Sequence, residues 1–254
     1  LQRERCAKAE IEKFLKLSLL GSIENFMSSL AQQVSASALR DRVFNERQLS
    51  ELLGGGDARR YGLVNRALKD GSLIRLKRGV YTLAKAHRSA PVHPFAVAQA
   101  LLPGSYISFE SALAYHGWIP EAVLVTASVT PGRKTLEIPA TEFGSFKYHP
   151  LAIADYCFLG GVERVTFDKL TAFVARPLRA LMDLVALRKV EWSGLDWLTS
   201  GMRIDDEALL ALTETDFAAV KSVYKHKAVK AFLSELEDVV LTTKRAQSRG
   251  SLHD

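Results

Sequence analysis

Three consecutive glycines, Gly54-Gly55-Gly56, separate two segments of helical pattern, and no other feature restricts the folding of this chain as tightly. A glycine run does not sustain a helix and readily enters left-handed backbone, so the chain must turn there. Before the run, Asn45 is a suitable N-cap for a short helix containing Leu49, Leu52 and Leu53. After it, Asp57 caps a second helix that runs to Asp70 and stops at Gly71. Short helix, glycine turn, second helix is the layout of a helix-turn-helix. Leu73-Ile74-Arg75-Leu76 then reads as a strand, Lys77-Arg78-Gly79 as a tight turn and Val80-Tyr81-Thr82-Leu83 as the returning strand. A basic hairpin directly after the second helix is a wing.

The expected class is therefore α+β, with a winged helix-turn-helix over 43–88 and a larger mixed α/β domain over 95–243 ending in a helical tail. Ahead of the head, residues 1–42 read as helices: one over 7–20 carrying Ile11, Phe14 and Leu15, and one from Ser22 to about Arg42. Phe26, Leu30, Val34 and Ala38 form the core stripe of the latter. Ala84 to Pro94 reads as a linker. Beyond it, helices are expected at Phe95–Leu102 and from Phe109 to His116, the latter capped by Ser108. Strands are expected at Val123–Thr130 (Val123, Val125, Ala127 and Val129 on one face), Leu136–Ile138, Ser145–His149 and Thr171–Ala175. Pro177 opens a helix through Lys189, and the last fifty residues are helical, with Asp205 and Thr215 as caps and a loose tail from Lys244.

Charge separates the two parts. Residues 1–95 hold 17 Lys and Arg against 9 Asp and Glu, whereas the remainder holds 17 against 19, so the net +6 originates in the N-terminal third. A DNA-binding module joined to a different kind of domain has this asymmetry. The two cysteines, Cys6 and Cys157, are far apart and suggest neither a disulfide framework nor a zinc site. No apolar stretch has the length of a membrane span, and Phe14–Leu20, interrupted by Lys16, is a poor signal peptide. A cytoplasmic protein without membrane association is expected.

On a helical wheel of the second helix, Tyr61, Val64 and Leu68 fall together as the packing stripe, flanked by Ala67. Arg59, Gly62, Arg66 and Lys69 fall opposite, with Asn65 at the edge and Arg60 nearer the buried side. Arg pairs bidentately with guanine and Asn with adenine in the major groove. Arg59, Asn65 and Arg66 are accordingly the candidates for base contact, while Lys69 and the tip of Arg60 suit phosphate. Arg75, Lys77 and Arg78 in the wing suit phosphates or the minor groove. The competing readings are an ordinary solvated face and a protein-binding module, a role that winged helices also serve.

Three segments carry a family resemblance. Gly71-Ser72-Leu73-Ile74-Arg75-Leu76-Lys77-Arg78-Gly79-Val80-Tyr81 resembles the wing of the abortive-infection (AbiEi-type) antitoxins of type IV toxin–antitoxin systems. The stretch from Tyr106 to Gly117 resembles their segment after the wing, and that from Val174 to Leu184 a later helix, with Leu178 where the family pattern has Glu. The resemblance covers roughly residues 43–190. It implies an antitoxin that represses its own operon by cooperative binding to inverted repeats in double-stranded DNA, with more than one copy assembled there. It also implies a C-terminal domain that counteracts a nucleotidyltransferase-like toxin, without requiring a stable complex.

No catalytic constellation stands beside this. The six histidines form no ligand pair with a nearby Glu, Glu142 and Lys147 lack a second acid, and Asp205-Asp206-Glu207 suits a helix N-terminus. Gly54–Gly56 lacks the Lys-Ser/Thr of a phosphate loop, and Ser108 and Ser111 lack a nucleophile elbow. No enzyme and no cofactor are expected, and His116, at a helix end, is expected to be structural. The alternative to the antitoxin is a stand-alone winged-helix transcription factor whose C-terminal domain senses a ligand or oligomerises. An enzyme with a winged-helix accessory ranks below both.

Overall fold

A computed structural model of the chain describes residues 29–140 and 142–250, which form a mixed α+β structure with two sheets. Two compact units divide between Val92 and His93. The helix expected over 7–20, and the first residues of the next, lie outside the described residues. No helix among those described is long and apolar enough to cross a membrane.

In the first unit, α1 (Leu30–Ser35) opens on a capping box in which Ser29 and Gln32 satisfy each other's backbone N–H groups. The helix stops at Ser35 instead of reaching Arg42. The Ser37 hydroxyl donates to Val34 O at 2.8 Å and accepts from Leu39 N at 3.1 Å, a local turn that competes with helix. Leu30 and Val34 are buried as expected, but Ala38 is exposed and Leu39 packs in its place. A short strand that the sequence did not announce, β1 (Phe44–Asn45), leads into α2 (Glu46–Leu53) and α3 (Asp57–Lys69). The hairpin β2 (Leu73–Lys77) and β3 (Val80–Leu83) completes a three-stranded antiparallel sheet with β3 in the middle. One core joins these elements: Leu30, Val34, Phe44, Leu49, Leu63 and Leu83.

The expected linker is partly fastened to this unit. Lys85–His87 form a 3-10 turn, and the Asp41 carboxylate accepts from Ser89 N (2.7 Å), Ser89 Oγ (2.5 Å) and Ala90 N (3.1 Å). Slight burial works against the Asp41 charge, but these hydrogen bonds more than offset it and hold the carboxyl below its usual range.

The second unit begins with α4 (Pro94–Leu101). Pro94 is its first residue, and His93 caps it by accepting from Phe95 N at 3.2 Å. Next come β4 (Tyr106–Ile107), α5 (Phe109–Tyr115), β5 (Val125–Thr130), β6 (Leu136–Ala140), β7 (Gly144–Pro150), β8 (Val162–Phe167), β9 (Leu170–Ala175) and α6 (Pro177–Arg188). The sheet runs in the order β6-β7-β5-β4-β9-β8, with β5/β7 and β4/β9 parallel and the other pairs antiparallel. On one face α4 receives the Tyr148 hydroxyl on Ala98 O, and on the other α5 and α6 pack together. Lying inside the sheet, β5 is covered on both faces. Its most buried side is therefore Thr126, Ser128 and Thr130, and of the expected apolar stripe only Val129 is fully buried. His116 donates from Nε2 to Ala175 O at 2.9 Å, a structural contact.

Ser108 is the N-cap of α5, as expected, but its side chain makes no capping bond. Its hydroxyl donates 2.6 Å to Asp183 on α6, where it meets a buried polar cluster. Asp183 also accepts from Tyr106 OH (2.9 Å), Tyr224 OH (2.7 Å) and Arg179 Nε (2.9 Å). The Arg179 guanidinium continues to Tyr106 OH and to the carbonyls of Gly160 and Phe158. Both charged side chains are wholly inaccessible to solvent. Burial opposes the Arg179 charge, but Asp183 and the two tyrosine hydroxyls more than offset it, keeping the guanidinium protonated. Burial, and then Asp183, push both tyrosines well above their ordinary values.

In the C-terminal part, α7 (Asp206–Leu210) packs on α9 (Lys227–Gly250), while α8 (Glu214–Lys221) and α9 pack on α6. Thr213, with Asp216 as its reciprocal partner, caps α8, so Thr215 lies inside the helix instead. The tail expected to be loose continues α9 as far as Gly250, and Lys244 Nζ donates to Leu212 O at 2.8 Å.

Two outcomes follow. Asp183→Ala leaves Arg179 charged and unpaired in the interior and should cost about 3–5 kcal/mol. All three tryptophans lie in the second unit, so urea unfolding followed by their fluorescence reads this loss, and an unshifted midpoint would deny the cluster its structural role. A carboxyl with a depressed folded pKa stabilises above its unfolded value and loses that contribution as pH falls through the folded one. The Ser89 and Ala90 amides should accordingly lose hydrogen-exchange protection in acid, after correction for intrinsic rates, and in Asp41→Ala at neutral pH. Protection unaffected by either change would contradict the strap.

Candidate nucleic-acid interface

Gly54 and Gly55 adopt φ of +58° and +70°, which explains why glycines occupy the turn between α2 and α3. Gly56, and not Asp57, is the N-cap of α3, and no side chain caps it. Asp57 falls in the first turn, where a negative charge suits the helix dipole, and pairs with Arg60. Arg60 also donates to Gly55 O, and Arg59 Nη1 donates to Leu53 O at 3.1 Å. Both arginines thus fold back over the glycine turn.

The helix presents a shifted side to the core: Tyr61 of the expected stripe turns outward and Leu63 turns inward. Its buried residues are Leu63 and Ala67, with Val64 and Leu68 half-buried beside them. Tyr61, expected in the core, is 72% exposed. Two apolar stripes one residue apart compete in this sequence, and the phenol makes Tyr61 the cheaper residue to leave in water. Asn65, Arg66 and Lys69 remain exposed on the outer side, and no described residue bonds or pairs with their side chains. Arg66 and Lys69 also lie in the last turn, where cations suit the dipole; this alone would account for their charge.

In the hairpin, Gly79 has φ +75° and the register slips between Arg75 and Lys77. Arg75 and Arg78 are exposed and Lys77 half-buried. The turn is held against the start of α2: Glu46 N donates to Gly79 O at 3.1 Å, and Tyr81 OH to Glu46 Oε1 at 3.4 Å. Burial and then the Glu46 charge raise the Tyr81 pKa, so this hydroxyl stays a donor at neutral pH.

The eight expected residues therefore divide. Asn65, Arg66 and Lys69 form one helix face, Arg75, Lys77 and Arg78 belong to the hairpin, and Arg59 and Arg60 brace the turn. Tyr61 joins the outer face unannounced; the Leu63/Ala67 pair, four residues apart, was the signal that could have exposed it.

The second unit contains a groove of about 610 Å³ whose lining includes Glu110, Val125, Ala127, Lys147, His149 and Arg188. Glu110 pairs with Arg188, and Lys147 lies 3.4 Å from Glu137. Burial, helped by Lys147, lowers the His149 pKa against the opposing pull of Glu110 and Glu137. The Phe109 ring meets His149 edge-on at 5.5 Å from a backbone with φ +56°, unusual for a bulky residue. No group of three or more His, Cys, Asp and Glu among the described residues could hold a metal.

No family model matches this chain, and no curated protein matches it.

Proposed function

We propose that the first unit is a winged helix-turn-helix that binds double-stranded DNA, with α3 as the reading helix and the β2–β3 hairpin as the wing. We further propose that the whole chain is an antitoxin that represses its own operon and counteracts a nucleotidyltransferase-like toxin. The observation that carries DNA binding is the exposed Asn65, Arg66 and Lys69 on one helix face, followed directly by a basic hairpin. The positive excess up to residue 95 supports the same reading. The antitoxin role rests on the three-segment resemblance.

The groove in the second unit favours one alternative, a transcription factor whose C-terminal unit senses a small molecule. Its volume is in the range of ligand sites, and charged and apolar groups share its walls. Neutralisation of a toxin encoded beside the gene separates the two readings: rescue of growth supports the antitoxin, and lack of rescue supports the sensor.

The direct test is a gel-shift titration against the upstream promoter with random duplex as competitor. Tight, competitor-resistant binding is expected. Arg66→Ala should weaken the specific complex by about 1–3 kcal/mol and relax sequence preference, whereas Lys77→Ala should weaken all duplexes alike and lower the salt slope by about one. Equal losses of both variants on promoter and random DNA would rule out α3 as the reading element.

A further inference from the structure

Gly62 sits in the middle of α3, where glycine is among the poorest helix residues, and nothing within the described structure requires it. Its φ is not left-handed, and a Cβ built on it meets no atom within 4 Å. Of the other glycines of this region, Gly54, Gly55, Gly71 and Gly79 have positive φ, and Gly56, with φ −77°, is the N-cap of α3 and so lies outside the helix interior. A helical glycine that answers to neither conformation nor packing points to something outside the chain that approaches closely. Next to it Tyr61 projects a largely exposed ring, Ala58 lies one turn earlier and Asn65 one turn later. Small residues around a protruding aromatic make a surface on which the ring is the prominent apolar group.

Resting on the DNA-binding reading above, we infer that α3 comes closest to the duplex at Gly62 and that Tyr61 is a specificity-determining residue contacting a thymine methyl in the major groove. The major groove presents the thymine methyl as the one apolar mark among its base edges, and apolar side chains read it. Asn65, one turn on, suits an adjacent adenine through its amide. Arg59 and Arg60 act as positioning residues, since their bonds to Leu53 O, Gly55 O and Asp57 fix the start of the helix on which Tyr61 stands.

The test begins by selecting duplexes from a randomised library with the full chain. If none is enriched, the DNA-reading proposal itself fails. Given an enriched duplex, Gly62→Ala should raise the thermal midpoint of the free protein by a few degrees, because alanine suits an open helical position, and weaken binding at least fivefold. Tyr61→Phe should bind like the parent. Tyr61→Ala should lose about fourfold, the equivalent of one buried methyl group. Replacing thymine by uracil at the contacted position should cost the parent a similar factor and Tyr61→Ala nothing further. A Gly62→Ala protein that binds at parental strength, or a Tyr61→Ala protein still sensitive to the thymine methyl, would overturn the inference.

Discussion

Four donors converge on the Asp183 carboxylate, one of them Arg179, and the second unit is arranged around that convergence. An ion pair without solvent is costly unless every remaining lone pair and N–H finds a partner. Here the partners come from β4, from the segment before α5, from the loop around Gly160 and from beyond α8. Close packing at Gly161, where a Cβ would stand 3.1 Å from that of Arg179, leaves the loop little freedom to withdraw. The cluster thus ties α6 at defined points to β4, to the Gly160 loop and to Tyr224.

The first unit relies on a different device. Its core is small and apolar, and backbone conformation at a few glycines sets the angle between elements. Side chains then secure those turns: Arg59 and Arg60 over the α2–α3 junction, Glu46 and Tyr81 under the hairpin, Asp41 along the segment after β3. Each is partly solvated, so each contributes modestly, and together they leave the outer face of α3 without internal obligations.

Helix–glycine–helix–hairpin was legible in the sequence because every element carried its own local signal, from the Asn45 cap to Gly79. The orientation of α3 was not, since Tyr61 and Leu63 both complete an apolar stripe and only the three-dimensional neighbours of Leu63 decide between them. β1 and β4 have two residues each, too short to show a period, and β8 alternates only weakly. In β5 the visible alternation belonged to the less buried side, because a strand covered on both faces obeys no simple inside–outside rule. Tyr106, Ser108, Arg179 and Asp183 were all within segments singled out for their resemblance, yet their meeting depends on separations of up to 77 residues that no local pattern encodes.

The same long separations bear on how the protein is made. Synthesis proceeds from the N-terminus, so every described contact of the first unit is available once Val92 has left the ribosome. Asp183 must then wait a further 41 residues for its last donor, Tyr224. During that interval a basic first unit is attached to a chain whose central polar cluster still lacks one of its four donors. The first unit therefore has its described contacts within reach before the rest of the molecule has taken its shape.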